Sequence, residues 1–388
     1  MATQKIEKDI QSISTKLKTI ETELNSSFLE RKEEIKSLII TLIANENIAF
    51  VGTPGTGKSN LVSAFSSLIN GQFFQRQVDG FTQPDDILGH YSFKQLREKD
   101  VRKLKTKNYA PEADIVYIGE AFKMNNTMMN SMLLLLNERE VDVGEGTRQS
   151  TNNKMIIADS NEYPTDGELA AFWDRWVVRL HVEEIKQDSS FNTFWNGFGT
   201  GNIGQVDTSK SIPMKDIDKM RSYLWQVDSS KLLPIIKHIR LELMKEEINV
   251  STRRWGKIKK LIHATTLYNG RTVSNRKDLH MLLHSLWSSK EQQGIIARIM
   301  SECMGGDSHA ANKLYSQASK ALKELQQANI PTGPAGIQYL APKVEILQSI
   351  VKEAEKLDIT EEDVADTVEA IKSISTAISQ MVSSRLRM

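Results

Sequence analysis

Residues Gly52-Thr53-Pro54-Gly55-Thr56-Gly57-Lys58-Ser59 match the pattern G-x-x-x-x-G-K-[ST] at every fixed position. The apolar run Ile48-Ala49-Phe50-Val51 comes directly before them, and a segment with helical spacing of its apolar residues follows. A strand, a glycine-rich loop and a helix in this order form a phosphate-binding loop. Its backbone N–H groups surround a phosphate, Lys58 would reach the β- and γ-oxygens, and the Ser59 hydroxyl would bind Mg²⁺.

Short apolar runs like the one before this loop recur at residues 115–118, 155–158 and 177–182. Buried parallel strands have continuous apolar sequences of this length, and segments of helical period lie between the runs. The alternation of strands and helices is typical of a doubly wound α/β fold. The sequence therefore predicts a nucleotide-binding αβα core over residues 47–190, with a parallel sheet flanked by helices.

The first 46 residues are predicted to form helices. A seam of apolar residues at alternating spacings of four and three runs through Ile6, Ile10, Ile13, Leu17, Ile20 and Leu24. This spacing is that of a coiled coil, but three heptads are few. Two interpretations stay open: the seam packs onto the chain's own domain, or it mediates oligomerisation.

Helical patterns without further strands dominate after about residue 184. They cover residues 232–244, 251–267 and 275–287 and predict an all-α lid over residues 191–300. The proline- and glycine-rich residues 331–336 lie within a separate helical segment, 301–388, where Thr360 is a predicted N-cap. Residues 199–204 match G-x-G-x-x-G, but no strand precedes them, so a plain loop is predicted there.

Composition limits the cellular setting. The 388 residues include 50 basic and 49 acidic side chains, so no global field would attract nucleic acid or an anionic membrane. No apolar run approaches the roughly 20 residues that span a bilayer, and the charged N-terminus does not look like a signal peptide. One cysteine, Cys303, excludes an internal disulfide. The sequence predicts a cytoplasmic protein without a membrane span.

A carboxylate at the end of a second strand completes the predicted site. Glu120 follows the run Ile115-Val116-Tyr117-Ile118-Gly119. Because the carboxyl ends of parallel strands share one edge of a sheet, Glu120 is expected near the phosphate loop. It is the candidate base that orients the attacking water.

Four further stretches form ordered motifs besides the phosphate loop. They are Ser27-Phe28-Leu29-Glu30-Arg31-Lys32-Glu33-Glu34-Ile35, Gln83-Pro84-Asp85-Asp86-Ile87-Leu88-Gly89, Tyr109-Ala110-Pro111-Glu112-Ala113-Asp114 and Leu134-Leu135-Leu136-Asn137-Glu138-Arg139. Together these motifs resemble the MoxR-type AAA+ ATPases, nearest their RavA branch, and the likeness covers about residues 27–290.

The resemblance implies an AAA+ fold with ATP and Mg²⁺ as cofactors, and it assigns further residues. Asn161 matches the sensor-1 asparagine that helps to hold the attacking water, and Arg175 matches the arginine finger offered to a neighbouring subunit. Arg253 matches the sensor-2 arginine of the lid, although adjacent Arg254 could exchange roles with it. The resemblance also implies a ring, expected to be hexameric, that remodels a partner protein and pairs with a von Willebrand factor A domain.

Gly119 departs from the family pattern, in which an aspartate precedes the glutamate. That aspartate normally holds Mg²⁺, so its absence predicts weak metal dependence and slow hydrolysis. Asp159 or Asp114 could replace it, and the sequence does not choose between them. A nucleotide-gated scaffold with slow or no hydrolysis is therefore an alternative function.

Two other features invite functional interpretation. Residues 94–107 carry seven basic against two acidic side chains, which leaves a nucleic-acid-associated ATPase as a further, less favoured alternative. His280 and His284 have the spacing of two metal ligands on a helix, but no third ligand lies nearby in the sequence. A packed or solvated helix face is the preferred interpretation of the two histidines.

Overall fold

The computed structural model describes residues 2–144, 146–164, 167–200, 203–304, 306–327, 334–355 and 367–378. The chain divides into two compact units, Met1–Ile296 and Ala297–Met388. The finer division predicted at residues 46, 190 and 300 stays a prediction. Within the described ranges, no helix is both long and apolar enough to cross a membrane.

A five-stranded parallel sheet lies at the centre of the first unit, in the order β5-β1-β4-β3-β2. The strands are β1 (Asn47–Val51), β2 (Phe73–Gln77), β3 (Ile115–Gly119), β4 (Met155–Ser160) and β5 (Val178–His181). Residues of β1, β3 and β4 are buried throughout. The predicted α/β fold with a parallel sheet is confirmed. Edge strand β2 was not predicted because its side chains are mostly exposed.

Along the chain, helices precede, separate and follow the strands of this sheet. Those of the first unit are α1 (Ala2–Ser27), α2 (Lys32–Ala44), α3 (Lys58–Ser67), α4 (Asp85–Leu88), α5 (Phe93–Lys99), α6 (Asn126–Glu138), α7 (Gly167–Trp173), α8 (Asp188–Gly197), α9 (Met214–Ser222), α10 (Leu233–Lys245) and α11 (Thr252–Tyr268). Short strand pairs join Ile69–Asn70 to Ile212–Pro213, His90–Tyr91 to Leu104–Lys105, and Glu140–Gly144 to Thr147–Ser150. Helix α12 (Gln292–Met304) spans the boundary between the two units.

The apolar seam of α1 packs onto the chain's own domain. Ile10, Leu17, Ile20 and Leu24 are fully buried and share one core with α2, β1 and α11. A hydrogen bond also holds α1 against α11, since the Ser14 hydroxyl donates to the carbonyl of Tyr268 at 2.5 Å. Of the two interpretations of the seam, the structure shows the intramolecular one.

The main helix of the lid, α11, begins where the sequence predicted it. Ser251 caps α11 by accepting a hydrogen bond from the backbone N–H of Arg254. The predicted helix over residues 275–287 is a 3₁₀ helix, Arg276–His284, with a capping box between Asn275 and Asp278. Helix α8 was not predicted, because its aromatic residues lie on exposed positions without a buried stripe.

The second unit is helical, as predicted. It contains α13 (Gly306–Gln327), α14 (Pro334–Ala354) and α15, a helix over residues 367–378. Its own apolar cluster includes Leu314, Leu347 and Ile371. Pro342 lies inside α14 and does not end that helix. The predicted cap Thr360 lies outside the described residues.

Candidate nucleotide-binding site

The phosphate loop lies between the carboxyl end of β1 and the first turn of α3. Gly55 and Gly57 have φ angles of +91° and +79°, which side-chain-bearing residues rarely adopt. A Cβ atom at Gly52 would overlap the carbonyl oxygen of Val182, just beyond β5. Each fixed glycine of the motif therefore has a steric reason, and the loop is packed against two strand ends.

The Lys58 ammonium is held at the loop and is only 6% exposed as a residue. It donates to the carbonyl oxygens of Gly52 and Thr53 at 2.7 and 2.9 Å. Burial lowers the pKa of Lys58, whereas the charges of Asp159 and Glu120 raise it. This is a poorly solvated cation whose partners are neutral carbonyls, and a phosphate group would be a stronger partner.

Glu120 and Asn161 meet Lys58 at the same edge of the sheet. The Asn161 amide donates to Glu120 Oε1, and its Oδ1 accepts from Lys58 Nζ at 3.4 Å. Glu120 has a left-handed backbone with φ of +58°, a conformation that costs a non-glycine residue free energy. Lys123 Nζ lies 3.3 Å from the other oxygen, Oε2 of Glu120. The structure thus connects residues from three separate segments in one hydrogen-bonded group.

Asp159 lies beside Gly119, where the family's aspartate is missing. A Cβ atom at Gly119 would lie 3.4 Å from Asp159 Oδ1 and would overlap Oε1 of Gln77. The φ angle of Gly119 is not positive, so the backbone itself accepts a side chain. Asp159 Oδ1 accepts a hydrogen bond from the Glu120 N–H at 2.9 Å, and burial raises the pKa of Asp159. A buried carboxylate therefore lies beside Gly119, and the Gln77 amide occupies the place of the missing side chain.

The oxygen atoms beside the loop fit a magnesium ion. The Tyr117 hydroxyl donates to Ser59 Oγ at 3.0 Å and also contacts Asp159, so it links these two side chains. A hydroxyl and a carboxylate are ligands that Mg²⁺ takes alongside phosphates and water. Asp114 is not part of this group, because it precedes β3 and accepts from the Gln72 N–H at the other end of the sheet.

The two adjacent lid arginines have different environments. Both pair with Asp174, at 2.7 Å for Arg254. Arg254 is only 4% exposed and also donates to the carbonyls of Ser285 and Trp287. The side chain of Arg253 is 49% exposed. Arg254 is thus a buried structural contact, whereas Arg253 is half-exposed and shares the Asp174 carboxylate with Arg175, whose Nη1 lies 3.7 Å from Asp174 Oδ2.

Arg175 lies away from the phosphate loop of its own chain. The Asn47 amide donates to the Arg175 carbonyl at 3.1 Å, and Asn47 begins β1. Gly52 follows the other end of β1, so it is about 16 Å from Asn47 at some 3.3 Å per residue. The structure therefore does not join Arg175 to the group formed by Lys58, Glu120 and Asn161.

An apolar cavity of about 350 Å³ adjoins the phosphate loop. Its wall combines glycines of the loop with apolar side chains that the sequence did not assign, Phe28, Leu29, Ile185, Phe194 and Phe198. Arg31 braces this wall, since its guanidinium donates to the carbonyls of Thr56 at 3.1 Å and Glu183 at 2.7 Å. Apolar and aromatic walls beside a phosphate site suit a nucleotide base. The sequence analysis missed this cavity, because its lining comes from segments on either side of the core that meet only in the folded chain.

The basic segment 94–107 lies in the part of the chain that connects β2 to β3. It includes α5 and the strand Leu104–Lys105, which pairs with His90–Tyr91. Phe93 is 84% exposed there, and Arg102 lies over the Tyr91 ring at 4.6 Å. Such a surface can contact a partner, but nothing in its geometry selects nucleic acid over protein.

Comparison with known proteins places these features in a family. Residues 15–222 match the family model described as the MoxR domain in the MoxR-vWA-beta-propeller ternary systems. Residues 231–300 match a second model, an AAA lid domain. The first match alone covers more than half of the chain and includes the phosphate loop, Glu120 and Asn161.

Individual proteins show the same likeness. An uncharacterised protein of Methanocaldococcus jannaschii is 30% identical over 330 residues, which are 83% of this chain and 85% of that one. Chaperone MoxR1 of Mycobacterium tuberculosis is 22% identical over 151 residues, 38% of this chain and 39% of that one. A crystal structure from Cytophaga hutchinsonii, provisionally described as an ATPase, has a TM-score of 0.62 and 18% identity. The superposed region covers 77% of this chain and 98% of the Cytophaga chain, which shows a shared fold.

Proposed function

This chain belongs to the MoxR family of AAA+ ATPases, and from that premise we propose that it is an ATP-hydrolysing ring that remodels or activates a partner protein. The observation that carries the proposal is the connected group of Lys58, Glu120 and Asn161 at the phosphate loop. A cation, a carboxylate and an amide at one point are the groups that phosphoryl transfer to water needs.

Each group has a role in the proposed reaction. The loop N–H groups and Lys58 bind the phosphates, and the cavity beside Phe28 and Phe194 takes the base. Asn161 and Glu120 orient a water molecule, and Glu120 accepts its proton. Ser59 and Asp159 would hold Mg²⁺, which supplies charge neutralisation on the phosphate oxygens when bound. We assign Arg253 of the lid to the γ-phosphate from the family resemblance, a role that requires Arg253 to leave its ion pair with Asp174.

A ring supplies the remaining cation. The backbone of Arg175 is about one strand length from the phosphate loop of its own chain, so we assign this arginine to the nucleotide of a neighbouring subunit. A hexamer is the proposed assembly. Such an arrangement ties hydrolysis to subunit contact, which is how a ring can couple ATP use to work on another protein.

A protein with a von Willebrand factor A domain is the proposed partner. The matching family model is described from systems that combine MoxR, vWA and β-propeller components. One relative is named a chaperone, which agrees with a remodelling role. The RavA-branch likeness and the cytoplasmic location stay predictions.

The slow-scaffold alternative is weakened by Asp159. That alternative assumed that no carboxylate replaces the aspartate missing at Gly119, yet a buried one lies 3.4 Å from a Cβ built there. The nucleic-acid alternative depends on the charge of residues 94–107 alone, in a chain with 50 basic and 49 acidic residues. We therefore favour the hydrolysing ring.

The test is steady-state ATP hydrolysis measured together with assembly size, with and without ATP. We expect turnover per subunit to rise as the protein assembles, because Arg175 acts across an interface. Tight ATP binding without turnover in the assembled state would favour the scaffold instead.

We predict that Asp159→Asn weakens Mg-ATP binding and slows hydrolysis, because the metal loses its proposed carboxylate. Gly119→Asp alone should give no gain, since its side chain meets Gln77 and stands beside Asp159. Pairing Gly119→Asp with Asp159→Asn and Gln77→Ala returns one carboxylate and removes the overlap, and should restore part of the lost affinity. Isothermal titration with ATP at several Mg²⁺ concentrations measures this. Unchanged Mg²⁺ dependence in Asp159→Asn would remove Asp159 from the metal site.

A further inference from the structure

A cluster of one carboxylate and two imidazoles lies outside the nucleotide site. Glu33 is in the first turn of α2, and His280 and His284 are on the 3₁₀ helix of the lid. Glu33 Oε2 is 2.6 Å from Nε2 of His280 and 3.3 Å from Nε2 of His284. No third ligand lies nearby in the sequence, but the fold brings Glu33 to the histidines from 247 residues away from His280 along the chain.

We propose that Glu33, His280 and His284 form a binding site for Zn²⁺. Their ligand atoms all lie within 4.8 Å of one another. Two imidazole nitrogens and one carboxylate oxygen are a donor set of zinc sites that leave the fourth position to water. Bond lengths of about 2.0–2.1 Å place tetrahedral ligand atoms about 3.4 Å apart. The Glu33–His284 separation already fits, and the Glu33–His280 contact must open by less than about 1 Å.

The exposure of the three side chains permits a metal ion to bind, and their ligand atoms favour zinc over magnesium. The side chains are 50%, 27% and 18% exposed for Glu33, His280 and His284, so an ion can enter and a water molecule can complete the shell. Mg²⁺ strongly prefers oxygen ligands, whereas imidazole nitrogen suits zinc. The magnesium that accompanies ATP would therefore compete poorly at this site.

A simple ion pair is the alternative, and the lid contains an example for comparison. His238 and Glu242 are four residues apart on α10, with 3.9 Å between Nδ1 and Oε1. The His238 side chain is 61% exposed. Within the described ranges, only the cluster at Glu33 brings three candidate ligands together. His238 is thus a matched control that has a histidine and a carboxylate but lacks the second histidine.

A metal ion here would link α2 to the lid beside the nucleotide site. Arg31, two residues before Glu33, donates to the carbonyl of Thr56 in the phosphate loop. Fixing the lid helix to this end of α2 is expected to slow the release of bound nucleotide. This consequence rests on the proposed function, whereas metal binding itself does not.

The test begins with the full-length chain freed of metal by a chelator and without nucleotide. Titration with Co²⁺, a spectroscopic substitute for Zn²⁺, should produce the strong visible absorption of a low-coordinate site at one ion per chain, and Zn²⁺ should abolish it. His280→Gln and His284→Gln keep a hydrogen-bond donor near Glu33 but lose the imidazole ligand. Each should weaken binding by more than about 100-fold, beyond the effect of removing an outer-shell partner. His238→Gln should bind like the parent.

Two results would overturn the metal site. One is a parent protein without the Co²⁺ absorption, and the other is equal Zn²⁺ affinity in the parent and both glutamine variants. If a histidine variant fails to fold, as judged by its thermal transition in chelator, Glu33→Gln tests the same site from α2. Release of a fluorescent ATP analogue with and without Zn²⁺ then tests the coupling. Normal metal binding without a change in release would refute the coupling and leave the metal site standing.

Discussion

Replacing Arg175 with alanine is expected to lower ATP turnover by roughly 10³- to 10⁵-fold while ATP binding stays nearly normal. The guanidinium would stabilise charge in the transition state on a neighbouring subunit, so its loss affects hydrolysis and spares ground-state binding. The position of Arg175 supports this role, because its backbone carbonyl lies about one strand length from the phosphate loop of its own chain. Steady-state hydrolysis of the assembled protein and equilibrium binding of a fluorescent ATP analogue measure the two effects separately.

Mixing two inactive variants distinguishes action across an interface from action within one subunit. In a mixture of Arg175→Ala and Glu120→Gln chains, some interfaces combine an intact Glu120 with an intact Arg175. We expect such mixtures to recover activity that neither variant has alone. Arg298→Ala is the matched control, since Arg298 is an exposed arginine that lies 3.9 Å from Glu302 on α12. No recovery in the mixture, or an equal loss in Arg298→Ala, would contradict the assignment of Arg175.

The sequence predicted the parts of the fold that carry a periodic apolar signal. Strands β1, β3 and β4 are buried and mostly apolar, β5 alternates apolar residues with Arg179 and His181, and the parallel arrangement follows from the helices between the strands. Edge strand β2 carries no such run, because it lies at the end of the sheet beside β3 and most of its side chains reach solvent. Helix α8 escaped prediction for a related reason, since Phe191 and Trp195 are 51% and 73% exposed.

Local motifs identified candidate site residues but not the contacts among them. The phosphate loop follows from a single stretch, whereas the meeting of Asp159 with Gly119 depends on how β3 and β4 lie side by side. Gln77 reaches Gly119 because these two residues are partners in the register of β2 and β3. The Glu33 cluster depends on the packing of α2 against the lid. Pairings of this kind are set by tertiary structure, which periodicity does not encode.

Lys58→Ala is expected to remove ATP binding at concentrations where the parent is saturated. Lys58 would make charge-assisted hydrogen bonds to the β- and γ-phosphates, each worth about 1.5–3 kcal/mol. Losing two such bonds weakens binding on the order of 10²- to 10⁴-fold. Equilibrium titration with a fluorescent ATP analogue measures the change.

The fold should survive this substitution, which separates a binding defect from unfolding. Lys58 is a buried cation whose pKa is lowered by burial, so the charged side chain is costly to bury in the absence of phosphate. Alanine removes that cost together with two hydrogen bonds to the loop carbonyls, and the opposing effects should leave thermal unfolding nearly unchanged. Lys16→Ala is the control, because Lys16 is a half-exposed lysine of α1 that pairs with Asp216 at 2.6 Å. If Lys58→Ala bound the analogue as tightly as Lys16→Ala, the phosphate loop would not be the nucleotide site.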